Sequence, residues 1–171
     1  MKTPDTVNSP DIISTKTVNT KEDRHILIAV DGSECARRAV TYVADLLGEV
    51  SSGFSVTLFS LPPLPEADCF ESDEECAAWL QKYWLDVEKA VEEYRNILIS
   101  SGFDKDKVCV RITLNDAPTV AAGILKEQKR LGYDTVVVAR RNISRKEEFL
   151  FGSTSSELLH SLKMCALWII E

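Results

Sequence analysis

Two stretches of this chain carry groups able to hold a polar or anionic ligand. The first is Asp31-Gly32-Ser33-Glu34, directly after the apolar run His25 to Val30. A carboxylate in such a turn can contact a ligand or hold a metal ion; it can equally serve the chain by capping the helix that follows. The second stretch is Arg140 to Glu148 followed by Phe149-Leu150-Phe151-Gly152-Ser153-Thr154. Gly152 and Ser153 lead into a helix whose first N–H groups lack partners and carry the positive end of the dipole, an arrangement suited to phosphate. Thr154 and Glu157 also have the T-x-x-E spacing of a capping box, so this junction has a purely structural reading beside the functional one. Arg140, Arg141, Arg145 and Lys146 would add charged donors, while Glu147 and Glu148 beside them would instead make a solvated ion-pair cluster.

Acid–base chemistry has weaker candidates. His25 begins a predicted strand, at the end opposite the turn of Asp31, and His160 falls well inside the last predicted helix. No second carboxylate is evident beside Asp31, so general acid–base catalysis has no pair to work with. The five cysteines (Cys35, Cys69, Cys76, Cys109 and Cys165) show no CxxC or paired Cys/His spacing and read as free thiols of a reducing compartment. Cys35, near a helix start, has a second reading as an activated thiol beside that of a small core residue.

These groups need elements to position them. The run H-I-L-I-A-V is short, aliphatic and closed by D-G-S, which predicts a buried strand. Ala36, Ala39, Val40, Val43, Leu46, Leu47 and Val50 then recur at steps of three and four, the face of a helix. Phe54 to Leu61 predicts a second strand, stopped by Pro62, Pro63 and Pro65 at the start of a long loop. Cys76, Leu80, Trp84, Val87, Val91, Tyr94 and Leu98 keep helical spacing up to Gly102. Val108 to Thr113 predicts a third strand; Asp116, with Pro118 in the first turn, opens a helix carrying Val120, Ile124 and Leu131 before Gly132. Thr135 to Ala139 predicts a fourth strand, and a helix through Leu158, Leu159 and Leu162 precedes a final strand, Cys165 to Ile170. Strands alternating with helices require parallel pairing through right-handed crossovers, which gives a doubly wound α/β sheet. In such sheets ligands bind beyond the carboxyl ends of the strands, where strand order reverses.

Composition sets the frame. The 171 residues are 44% apolar and 27% charged, a globular balance with length for one domain. Residues 1–23 are polar and aperiodic and read as a flexible N-terminal arm, leaving 24–171 as the domain. With 20 Lys and Arg against 27 Asp and Glu, the net charge of −7 argues against nucleic acid as a partner. No apolar run approaches the roughly 20 residues of a membrane span, and residues 1–23 lack the apolar centre of a secretory signal. A cytoplasmic protein without a membrane partner is the expectation.

From His25 onward the chain resembles the universal stress protein family. Three segments carry the resemblance in order and spacing: H-I-L-I-A-V-D-G-S-E-C-A-R-R-A-V, F-L-F-G-S-T-S-S-E-L-L and C-A-L-W-I-I. The resemblance implies a single doubly wound five-stranded parallel sheet of order 3-2-1-4-5, Rossmann-like and of the adenine-nucleotide-binding type. It implies a crevice in which Asp31 contacts the nucleoside and Ala29, Val30, Leu61 and Val138 wall the base. In ATP-binding members the segment after the fourth strand reads G-x2-G-x9-G-[ST], and the matching positions here are Ala139, Asn142, Gly152 and Ser153. The spacing is kept, but the first two glycines are replaced. Ala139 puts a methyl group where backbone would approach phosphate; Asn142 is the milder change because Asn tolerates positive φ. Arg141 and Thr154 complete the expected phosphate side, with basic side chains in place of lost N–H contacts. The expected ligand is ATP or AMP at a degenerate site, and the expected assembly is a homodimer through the C-terminal strand, where Leu167 to Ile170 offers an apolar edge and Trp168 a large buried area. The expected role is non-enzymatic stress response. Two alternatives are a slow ATP-hydrolysing or phosphotransfer enzyme and a nucleotide-free protein-interaction module. A receiver domain fits poorly, since its acidic pair, phosphorylated Asp and Lys have no counterparts here.

Overall fold

The computed structural model describes residues 23–62, 70, 72–114, 117–140 and 154–171. The N-terminal arm expected up to residue 23 lies outside them except for Asp23, whose carboxylate pairs with Lys107 Nζ at 2.9 Å. Five strands form one sheet: β1 (Arg24–Ala29), β2 (Phe54–Ser60), β3 (Val108–Ile112), β4 (Thr135–Ala139) and β5 (Ala166–Ile170). Their order is β3-β2-β1-β4-β5, and every pairing is parallel. The chain therefore winds outward from β1 to β3, returns across the sheet to β4, and reverses between β1 and β4.

Among the described residues, four α-helices supply the crossovers: α1 (Glu34–Leu47), α2 (Asp73–Ser100), α3 (Val120–Leu131) and α4 (Thr154–Ser161). Burial explains the sidedness. Ile26, Ile28, Val56, Leu58 and Val137 join the apolar faces of α1 and α2 in one core. Leu27, Phe59, Val136 and Val138 point the other way and meet Ile124 of α3 and Leu158 of α4. Alternation along each strand thus feeds two layers, and continuous apolar runs such as T-V-V-V-A are what a sheet covered on both faces requires.

Several boundaries differ from the periodicity. The strands stop at Ser60 and Ile112 and the last begins at Ala166, so Leu61, Thr113 and Cys165 lie just outside the sheet. α1 ends at Leu47, and Gly48–Gly53 forms a 3₁₀ segment in which Val50 is non-helical and 57% exposed, so Val50 leaves the expected apolar face. α3 begins at Val120, not around Pro118, because the Thr119 side chain accepts from Ala122 N at 3.0 Å and takes the capping role.

Candidate functional site

β1 ends beside two neighbours at once. Ala29 pairs with Phe59 of β2 and with Val138 of β4, and Val30 N donates to Phe59 O at 2.8 Å. The chain then turns through Asp31-Gly32-Ser33, with Gly32 at φ +78°, a backbone region that suits glycine. Asp31 Oδ1 accepts from Ser33 N at 3.0 Å, and Ser33 Oγ accepts from Ala36 N at 3.2 Å. Ser33 is therefore the α1 cap, while Asp31 braces the turn and remains exposed at its rim.

Ala29, Val30, Leu61, Val138 and Ala139, all expected in the crevice, lie at or just past the carboxyl ends of β1, β2 and β4. Ala29, Leu61 and Ala139 are half-buried there, whereas Val30 and Val138 are buried in the two opposite cores. Thr154 is the first residue of α4. The Glu157 carboxylate accepts from Thr119 Oγ1 at 3.0 Å through each oxygen, which ties the first turn of α4 to the capping residue of α3. Since α3 follows β3, this contact brings the start of α4 to the carboxyl end of the sheet, the end that carries Asp31. Arg141, Asn142, Gly152 and Ser153, together with Arg145, Lys146, Glu147 and Glu148, lie outside the described residues. Arg140 is described, and its Nη1 stands 3.1 Å from Glu171 Oε1 beyond β5.

α2 contributes a wall that the sequence pattern does not announce. A Cβ placed on Gly32 would lie 3.7 Å from Ala90 Cβ, and Tyr94 Oη donates to Ser33 O at 2.9 Å, so this helix packs directly on the acidic turn. Burial, reinforced by the Asp31 carboxylate, pushes the Tyr94 phenol up to about 12. The same two causes raise that of Tyr83, so its hydroxyl also feels the Asp31 charge. Tyr83 stacks on Trp79 with centroids 5.1 Å apart and planes 18° from parallel, and Phe70 tilts against Trp79 at 5.7 Å. Helical spacing marks Trp84 and Tyr94 as core positions and gives Trp79 and Tyr83 no role; their i, i+4 spacing was the available signal.

The two histidines lie away from this turn. His25 is buried at the start of β1, where its backbone N–H donates to Asp134 Oδ2 at 2.8 Å. His160 is exposed on α4, with Nδ1 2.8 Å from Ser156 O. Cys35, Cys76, Cys109 and Cys165 are in no disulfide, and no metal-binding cluster of His, Cys, Asp or Glu occurs among the described residues. No described helix is long and apolar enough to cross a membrane.

Known proteins match this geometry. The model of the universal stress protein family matches residues 23–169. The chain is similar to UspA from Lactobacillus plantarum, at TM-score 0.68 and 15% identity over 86% of this chain and 97% of that one. A universal stress protein in complex with cAMP aligns at TM-score 0.65 and 14% identity, covering 88% of this chain and 98% of that one. The universal stress protein from Archaeoglobus fulgidus in complex with dAMP aligns at TM-score 0.57 and 14% identity, covering 88% and 99%. No curated protein matches the chain.

Proposed function

Because the chain belongs to the universal stress protein family, we propose that it acts as a non-enzymatic, cytoplasmic stress-response protein. In this reading it binds an adenine nucleotide, ATP or AMP, at the crevice between β1 and β4 and works as a homodimer. The observation that carries the reading is the convergence of the Asp31 turn, the end of β4 and the first turn of α4 on one edge at the sheet's reversal point. That is where parallel sheets receive nucleotides. Asp31 would contact the nucleoside, and the segment from Ala139 to Thr154 would face the phosphates.

The missing glycines set the expected affinity. Ala139 adds a methyl group at the end of β4 and Asn142 replaces a second glycine, so the backbone N–H groups of this segment close less tightly around a triphosphate. ATP is then held weakly and is lost during purification. A non-catalytic role is supported by the histidines: neither His25 nor His160 stands at the crevice to act as a base.

Calorimetric titration with AMP and ATP, beside the Asp31→Ala variant, tests this reading. Wild-type protein is expected to bind both nucleotides, Asp31→Ala neither, and ATP hydrolysis is expected to stay at background. Absence of binding in the wild type would overturn the nucleotide site and favour the interaction module. Tightly bound ATP in protein purified from cells, detected by mass spectrometry, would refute the weakened phosphate grip.

A further inference from the structure

α2 is much longer than the sheet it covers. Its 28 residues extend about 42 Å, whereas strands of five to seven residues reach only about 17–24 Å. The helix runs from the carboxyl end of the sheet toward the amino end, and Ala90 marks where it passes the Asp31 turn. Val91, Tyr94 and Leu98 below that level and Val87 just above it are buried, while Cys76, Leu80, Tyr83 and Trp84 further up are only half-buried and Trp79 is exposed. The upper half of α2 therefore projects past the strand ends on the side of the Asp31 turn, with Tyr83 and Trp84 packed on the rim of the α1–α2 core.

Position on the helix decides which side chains stand above that turn. Tyr83 lies two turns before Ala90 on the same stripe, so it stands about 10 Å above the contact with Gly32. Trp79 is one turn further out and lies face to face with Tyr83.

We propose that Tyr83, backed face to face by Trp79, forms an aromatic wall on which the base of a bound nucleotide stacks, making the base, more than the phosphates, the anchor of the ligand. The inference rests on the nucleotide reading above and adds a subsite to it. Flat π-faces beside a crevice suit a purine ring, for which stacking supplies affinity without hydrogen-bond readout. The rise in the Tyr83 phenol caused partly by Asp31 agrees with this placement, since it puts ring and carboxylate within electrostatic reach. A base anchor would also offset the loss of the first two loop glycines. Ligands lacking β- and γ-phosphates should then bind about as well as ATP, and ligands lacking a base should bind poorly.

The test is calorimetric titration of the full chain with AMP, adenosine and ribose 5-phosphate, using wild type, Tyr83→Leu, Trp79→Leu and Tyr83→Phe. Leucine keeps apolar bulk at half-exposed positions and removes the ring; phenylalanine keeps the ring and removes the hydroxyl. Expected are AMP binding about tenfold weaker in each leucine variant, retained binding in Tyr83→Phe, and ribose 5-phosphate binding that is weak in all four proteins. Wild-type AMP affinity in both leucine variants overturns the wall, and if Asp31→Ala still abolishes binding, the nucleotide reading survives that result. Ribose 5-phosphate binding the wild type as tightly as AMP also overturns it. No binding of AMP to the wild type removes the nucleotide reading and the wall together.

Discussion

Tyr94 joins the long helix to the acidic turn through one hydroxyl, donated to Ser33 O at 2.9 Å. With the phenol pushed up to about 12 from an ordinary value of 10.0, the folded protein keeps a proton that the unfolded chain has given up. Its contribution is whole below pH 10 and is lost as pH rises from there through about 12. Tyr94→Phe is expected to cost about 1 kcal/mol at neutral pH and to flatten the alkaline loss of stability. Urea denaturation at pH 7 and across the alkaline range checks both, and an unchanged alkaline slope would clear Tyr94 of that role. Tyr133, also raised to about 12 by burial, should leave a residual slope in the variant. On the opposite layer Glu127, only 4% exposed, meets Arg130 through two hydrogen bonds of 2.8 and 3.0 Å and pairs with Arg111 Nε at 2.9 Å. Glu127→Gln strands the largely buried Arg111 charge and is expected to cost about 3 kcal/mol. Arg130→Gln removes a half-exposed partner and should cost under about 1 kcal/mol. Chemical denaturation of the two variants side by side measures this contrast. The sequence shows Asp31 and the end of β4 because turn chemistry and apolar runs are local. It does not show Glu127 as a clasp for Arg111 or Tyr83 within reach of the Asp31 charge, since each of these partners is distant along the chain.

Where α1 and α2 end, their backbones cross so closely that both positions need glycine. A Cβ on Gly48 would collide with the Ser101 carbonyl oxygen, and one on Gly102 would lie 2.7 Å from Gly48 O. Gly102 also sits at φ +118°, where side chains are strained. Ser51 Oγ donates to Gly102 O at 2.7 Å and fastens the crossing. Gly48→Ala and Gly102→Ala should each lower stability by about 2 kcal/mol or more, read as a shifted urea midpoint with nucleotide binding intact where the protein remains folded. This crossing explains why α1 stops before Val50, although the apolar period continues: the periodicity records which residues could share a face, and the backbone contact decides where the helix ends. The same distinction applies to α2. Its spacing from Cys76 to Leu98 marks one helix correctly, but only the lower half finds a sheet to cover, because strand length is set by a different stretch of chain. Element type was legible from period and breakers, and element ends were not, since caps such as Thr119 compete with equally plausible neighbours such as Pro118.

At the scale of the whole molecule, the sheet has two edges of different character. The edge strand β3 is buried at four of its five positions, yet β5 at the other edge is half-exposed or exposed at every position, although it reads A-L-W-I-I. Trp168 and Ile170 lean on the α1–α2 core, Leu167 on the other, and Ile169 is 39% exposed. α1 extends the apolar surface. Arg37 reaches Glu93 of α2 at 3.6 Å, so the opposite flank of α1, carrying Tyr42 and Leu46 at 47% and 52% exposure, is turned away from α2. An apolar edge strand flanked by exposed aromatic and aliphatic side chains is a surface that sheet proteins cover. In the homodimer proposed for this chain, β5 would pair with its copy about a two-fold axis, matching an identical apolar patch to itself. Sedimentation equilibrium is expected to return a dimer for the wild type. Ile169→Lys, at an exposed position on the strand, should give a folded monomer by placing two like charges near the axis. Tyr42→Glu, on the flanking helix, should weaken the dimer less. A monomeric wild type, or an Ile169→Lys protein as dimeric as the wild type, would move the interface away from β5 and leave its exposed apolar residues without a partner copy.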